Sequence, residues 1–140
     1  MVEGEYPPAI IVHSGAQALA AAEAATALGR PLTLRSAPGG TLGVGWFASL
    51  GALLAERYPA LDLTLVLDCA DEAGMALGGL RRGLKVIRVA GSADVRAKLD
   101  DLARGYGARL DEDSRPPLDL AGGLVEQADL VARCRDWLTH

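Results

Sequence analysis

Four points in the chain set polar or turn-forming residues directly after an apolar run: His13 and Ser14; Arg35 and Ser36; Asp68, Cys69 and Asp71; Gly91 and Ser92. They offer different chemistry. His13 is a general-base candidate, because an imidazole changes charge near neutral pH. Asp68 is the sharper acid–base candidate, since a carboxylate closing a buried strand is open to a shifted pKa. Ser14, Arg35, Ser36, Asp71 and Ser92 are candidates for hydrogen bonds to a ligand, with Arg35, Ser36 and Ser92 suited to an anion. The glycine-rich loop from Ser36 to Gly45 adds Gly39, Gly40 and Thr41, whose backbone N–H groups can cradle an anion at the start of a helix.

Each of these residues also has an ordinary structural use. Asp68, Asp71 and Ser92 suit helix N-caps, and the glycines suit turns that need positive φ. The loop matches neither GxGxxG nor GxxxxGK[ST], and the turn after the first strand, His13-Ser14-Gly15-Ala16-Gln17, lacks the dinucleotide fingerprint. The motifs therefore ask for no cofactor. Cys69 has no base paired with it in sequence and reads as a buried, inert thiol; Cys134 reads as core. His13, Asp68 and Cys69 lack the spacing of a zinc site, so no metal is expected.

The elements that must position these groups repeat one plan. Apolar runs at Ala9–Val12, Leu32–Arg35, Leu61–Leu67, Lys85–Ala90 and Ala108–Leu110 read as strands. Helix-prone stretches follow: an Ala-rich one from Ala16 to Leu28, closed by Gly29 and Pro31, and one from about Val44 to Tyr58. The latter carries Trp46, Phe47, Leu50, Leu53, Leu54 and Tyr58 as its buried stripe. A third, lined by Met75, Ala76, Leu77 and Leu80, is capped by Asp71 and stopped by Gly83. The fourth starts at Ser92 and carries Val95, Leu99, Leu102 and Tyr106 at helical spacing. A last one runs from Gly123 to Leu138. Asp111 to Pro117 reads as an acidic, soluble loop. Arg88 lies inside a strand and needs a partner.

Strands that are apolar on both faces and alternate with helices imply a parallel sheet covered by helices. The expected fold is one α/β domain over residues 1–140: a three-layer α/β/α sandwich with a mainly parallel five-stranded sheet, Rossmann-like or flavodoxin-like. In such sheets ligands bind outside the carboxyl ends of the strands, where the polar groups above collect.

Composition narrows the partners. Half of the 140 residues are hydrophobic and 23% are charged, which is the globular range. A net charge of −4 and only 4% aromatic residues argue against nucleic acid, which needs cations for phosphates and rings for bases. No stretch has the roughly 18 apolar residues of a membrane span. With two widely spaced cysteines and no basic segment ahead of an apolar run, the expected location is the cytoplasm.

The segment Leu61 to Ser92 resembles part of the class II fructose-bisphosphate aldolases. There a strand ending Leu-Asp-His-Gly is followed by a helix, an Ala-Gly-Phe turn and a strand ending Asp-Gly-Ser. The corresponding pieces here are Leu67-Asp68-Cys69-Ala70, Arg82-Gly83-Leu84 and Ala90-Gly91-Ser92. The resemblance implies a βαβ unit and sets Asp68 on the family's proton-transferring Asp. Cys69 stands where that family has a zinc-binding His and Ala90 where it has Asp; its later zinc-binding histidines have no counterpart. As a whole the chain resembles small bacterial α/β proteins.

The expected function is binding of a small, anionic or phosphorylated ligand at the strand carboxyl ends, with Asp68 and His13 as the polar or acid–base groups. The alternative is an interaction module or homodimer, motivated by Trp46, Phe47 and Trp137 in a chain short of aromatics.

Overall fold

The structure is a computed structural model that describes residues 6–39, 42–123 and 125–139. Its elements in chain order are β1 (Ile10–Val12), α1 (Gly15–Leu28), β2 (Leu32–Ser36), α2 (Val44–Arg57), β3 (Leu63–Asp68) and α3 (Ala73–Arg81). There follow β4 (Val86–Arg88), α4 (Ala93–Gly105), β5 (Arg109–Leu110), β6 (Leu118–Asp119) and α5 (Gln127–Thr139). The strands form one sheet in the order β5-β4-β3-β2-β1-β6. β1 pairs with β6, β3 with β4 and β4 with β5, each in parallel. The α/β class and the parallel sheet are as the sequence predicts.

Two particulars differ. The sheet has six strands, not five. Leu118–Asp119 is too short to show alternation and follows Pro116-Pro117, a loop signal. It becomes a strand through its partner, as Leu118 N–H donates to Ala9 O at 2.9 Å and Leu120 N–H to Ile11 O at 3.1 Å. The strand order also matches neither the Rossmann nor the flavodoxin arrangement: β1 to β5 lie side by side in sequence order, and β6 returns beside β1. Right-handed crossovers fix the hand of each βαβ step but not the direction in which the next strand is laid.

The chain groups into two compact units. The first comprises Met1–Arg35, Ala52–Thr64 and Arg115–His140. Its centre is α1, where Ala18, Ala20, Ala21, Ala22, Ala24 and Ala25 are all fully buried. Alanine favours helix and lets a neighbour approach closely. The neighbour is α5, which buries Leu130, Cys134 and Leu138. Ser14 caps α1 by accepting a hydrogen bond from Gln17 N–H. Gly29, at φ 63°, closes it by donating to Ala25 O and Thr26 O.

The second unit comprises Ser36–Gly51 and Leu65–Ser114. β3, α3 and β4 form a βαβ unit, in register as Val66 with Val86, Leu67 with Ile87 and Asp68 with Arg88. Phe47, Leu67, Leu80 and Ile87 are almost completely buried there. Three expectations need correction in these elements. The N-cap position of α3 is Glu72, not Asp71, and no side chain caps it. Asp71 lies exposed in the preceding turn. The α4 stripe is buried only at Leu99, joined by Ala103; Val95, Leu102 and Tyr106 are 39%, 45% and 39% exposed. Helical spacing says which residues share a face, whereas β5 offers that face just two residues of strand. Of the α2 stripe, Leu53 is exposed while Phe47, Leu50 and Leu54 are buried. Among the described residues no helix is long and apolar enough to cross a membrane.

Adjacent glycines in α3 provide a matched test of this packing. A Cβ at Gly79 meets Leu67 Cδ2 at 2.5 Å and Ile87 Cδ1 at 3.2 Å, whereas one at Gly78 meets nothing within 4 Å. Gly79→Ala is therefore expected to destabilise the protein by about 1–3 kcal/mol through overpacking. Gly78→Ala is expected to stabilise it by up to about 1 kcal/mol through helix propensity. Denaturant midpoints of the two variants check this; equal signs contradict it.

Candidate functional site

Asp68 closes β3 with its polar groups assigned one by one. Its backbone N–H donates to Ser36 Oγ at 2.9 Å, and its carbonyl accepts from Gly39 N–H at 3.1 Å. Its carboxylate Oδ1 accepts from Ala70 N–H at 2.9 Å. This local turn holds Ala70 at φ 51°, a left-handed conformation that a residue with a Cβ rarely adopts. The carbonyl of Ala70 accepts from Ala90 N–H at 2.7 Å, and Cys69 N–H donates to Arg88 O at 2.8 Å, so the β3–β4 ladder continues through the bend. Asp68 is 9% exposed. Strain of this kind is retained where surrounding contacts over-determine the backbone, and it collects at functional sites.

Beside Asp68 in register stands Arg88, at the end of β4. The partner it needs is supplied by the acidic loop. Arg88 Nη1 donates to Asp111 Oδ2 at 2.9 Å and to Asp113 O at 2.9 Å. Asp113 N–H donates back to Asp111 Oδ1 at 3.3 Å. Arg96, from the first turn of α4, reaches Glu112 Oε1 through Nη2 at 3.3 Å. Together Asp68, Ala70, Arg88, Arg96, Asp111 and Asp113 line a cleft of about 530 Å³ at the carboxyl ends of β3 and β4. Ser114 and Glu112 belong to its wall as well, so carboxylates outnumber guanidiniums. The acidic triplet is thus a source of counter-charge and a wall of the cleft, a role its sequence alone does not announce. Arg88 was the available signal, as a charge inside an otherwise apolar strand.

The other expected groups divide. Ser36 is engaged with Asp68, and Ser92 caps α4 by accepting from Val95 N–H at 3.2 Å; neither lines the cleft. Gly39 adopts φ 72° and donates to the Asp68 carbonyl. Gly40 and Thr41 lie outside the described residues. Arg35 is buried near the end of β2 and belongs to the first unit. Burial, then the charges of Asp68 and Glu72, pushes the Cys69 thiol up to about 12; burial pushes Cys134 up to about 11. Both sulfurs are neutral at physiological pH and poor nucleophiles. Among the described residues no group of His, Cys, Asp and Glu is arranged to hold a metal ion. Of the aromatic residues singled out for association, Phe47 is fully buried, and Trp137 is half-buried with Nε1–H donating to Pro8 O at 3.1 Å.

His13 belongs to the first unit and has its own acidic partner. Its Nε2 lies 2.6 Å from Asp119 Oδ1, across the paired ends of β1 and β6. Burial pushes the Asp119 carboxyl up, but the Ala121 N–H, at 2.9 Å, and the His13 contact together outweigh it and hold it below the usual carboxylate value. An ionised carboxylate only accepts, so Nε2–H is the donor of this contact. Gln17 ties the same corner together: Oε1 accepts from His13 N–H at 2.6 Å and Nε2 donates to Leu120 O at 2.9 Å. Asp119 escapes a reading by sequence because its contact with His13 spans 106 residues and depends on β6, and the reach of Gln17 to Leu120 spans 103. Ser14 serves the helix cap.

Comparisons with known proteins add no assignment: no protein-family model matches the chain, and no curated protein matches it in sequence.

The lowered Asp119 value sets a pH dependence. A carboxylate held below its unfolded value contributes stability that is present above that unfolded value and lost as pH falls through the folded one. Asp119→Asn is therefore expected to be less stable than the parent near neutral pH, with the gap closing in acid. Thermal unfolding of both proteins along a pH series checks this; a gap independent of pH contradicts it.

Proposed function

We propose that the chain binds a small polar molecule in the cleft at the carboxyl ends of β3 and β4, with Asp68 as its principal acceptor. The observation behind this reading is the placement of Asp68: a largely buried carboxylate that lines an open cleft while one N–H occupies one of its oxygens. A carboxylate has roughly four acceptor positions. Burial without further donors carries a cost that a ligand's O–H or N–H group would offset. The cleft lies at the edge of the sheet where parallel α/β folds bind their ligands, and its volume falls in the range of small-molecule sites.

The charge of the walls bears on what the ligand carries. Among the residues that line the cleft, four carboxylates, Asp68, Asp111, Glu112 and Asp113, stand with two guanidiniums, Arg88 and Arg96. A phosphate dianion would meet this excess of carboxylates, with both guanidiniums already in contact with acidic residues. The anionic ligand expected from the sequence therefore gives way to one that presents hydrogen-bond donors to Asp68.

A thermal-shift panel of amines, polyols and sugar phosphates tests this. Members of the first two groups are expected to raise Tm, as binding to the folded state must, and sugar phosphates are not. Asp68→Asn retains an oxygen for the Ala70 contact, so it is expected to keep its own Tm and lose the ligand-dependent rise. A panel in which only sugar phosphates stabilise the protein, or in which Asp68→Asn responds like the parent, overturns the reading.

A further inference from the structure

Asp68 and Arg88 are register partners on adjacent parallel strands, which places their backbones about 4.8 Å apart. Both line the cleft. Opposite charges so placed would ordinarily join, yet each is turned to a different contact. Asp68 Oδ1 takes the Ala70 N–H, and Arg88 Nη1 takes both Asp111 and Asp113.

Each ion is thereby left with an uncommitted half. Asp68 Oδ2 has no donor among the described residues, and it is not sealed from solvent. Arg88 carries five N–H donors, and Nη1 alone makes its contacts; Nη2 and Nε have no partner among the described residues and are not sealed either. The Nη2–Nε edge of a guanidinium is one that meets a carboxylate with two parallel bonds. One cleft therefore offers an open carboxylate oxygen and an open guanidinium edge from neighbouring strand ends.

We infer that the cleft takes a free α-amino acid, its ammonium on Asp68 and its carboxylate on Arg88. This rests on the reading of the cleft as a ligand site and adds the class of ligand. An α-amino acid separates its two charges by a single carbon, a spacing that fits groups on adjacent strands. The zwitterion brings one positive and one negative charge, so it leaves the balance of the walls unchanged. A dianion adds repulsion from Asp68, Asp111, Glu112 and Asp113, and a simple amine leaves the Arg88 edge unmet.

The test is calorimetric titration of the full chain with the individual L-amino acids, and then with the methyl ester and the N-acetyl derivative of each one that binds. The ester removes the carboxylate charge and the acetyl group removes the ammonium. At least one amino acid is expected to bind, and each derivative to bind roughly ten-fold more weakly or worse, the size expected when one charge-assisted contact is lost. Asp68→Asn is expected to weaken the amino acid and to leave the N-acetyl derivative unchanged. An ester or an N-acetyl derivative that binds as tightly as its parent overturns the inference without any variant being needed. If amines or polyols bind and no amino acid does, the zwitterion inference fails and the cleft reading stands. If neither set of compounds binds, both fail.

Discussion

A guanidinium at the end of β4 has to find its counter-charge, and much of the second unit follows from how it does so. Arg88 is 31% exposed on its side chain and Asp111 only 9%. Leaving either alone would bury an unpaired charge in part, at a cost of several kcal/mol. Pairing them draws the chain after β5 back over the strand ends, and the Asp113 carbonyl and its N–H contact to Asp111 lock the bend. The cleft is bounded by the loop that this pairing holds. Its rim is electrostatic in origin, while its floor is the end of an apolar sheet.

The same demand for satisfied polar groups shapes the end of β3. Buried backbone N–H and C=O groups must be paired, and at the end of β3 the polar groups of Asp68 find theirs in Ser36 Oγ, Gly39 N–H and the N–H of the strained Ala70. The carboxylate is thus fixed in direction by its own turn, with one oxygen committed. Cys69, next in sequence, points its reactivity nowhere: burial and two neighbouring carboxylates keep its thiol protonated. Chemistry at this strand end therefore rests on oxygen and not on sulfur. In the first unit His13 and Asp119 repeat the pattern of a charged group fixed by a backbone N–H, here that of Ala121.

What the sequence discloses and what it hides follow from range. Runs such as Leu63–Asp68 and Val86–Arg88 show as strands because their apolar character is local, and Ser14, Gly29 and Ser92 show as helix ends because caps act over three or four residues. Position 68 is legible as a strand-end carboxylate for the same reason. Strand neighbours are not local. β3 lies between β2 and β4, a placement that no local pattern discloses, and β6 exists only through its pairing with β1. The need of Arg88 for a partner is visible from the apolar strand around it. The partner's identity, 23 residues on, depends on β5 lying beside β4. Burial of α4 is hidden for a related reason: Val95, Leu102 and Tyr106 share a face with Leu99, but only tertiary packing decides how much of that face is covered.

The contact between Arg88 and Asp111 is what holds the rim of the cleft. A double-mutant cycle with Arg88→Met and Asp111→Ala, read by denaturant unfolding, measures that interaction directly. The expected coupling energy is about 1 kcal/mol or more, well above the roughly 0.3–0.5 kcal/mol scatter of independent sites. Single-variant effects that simply add would contradict it.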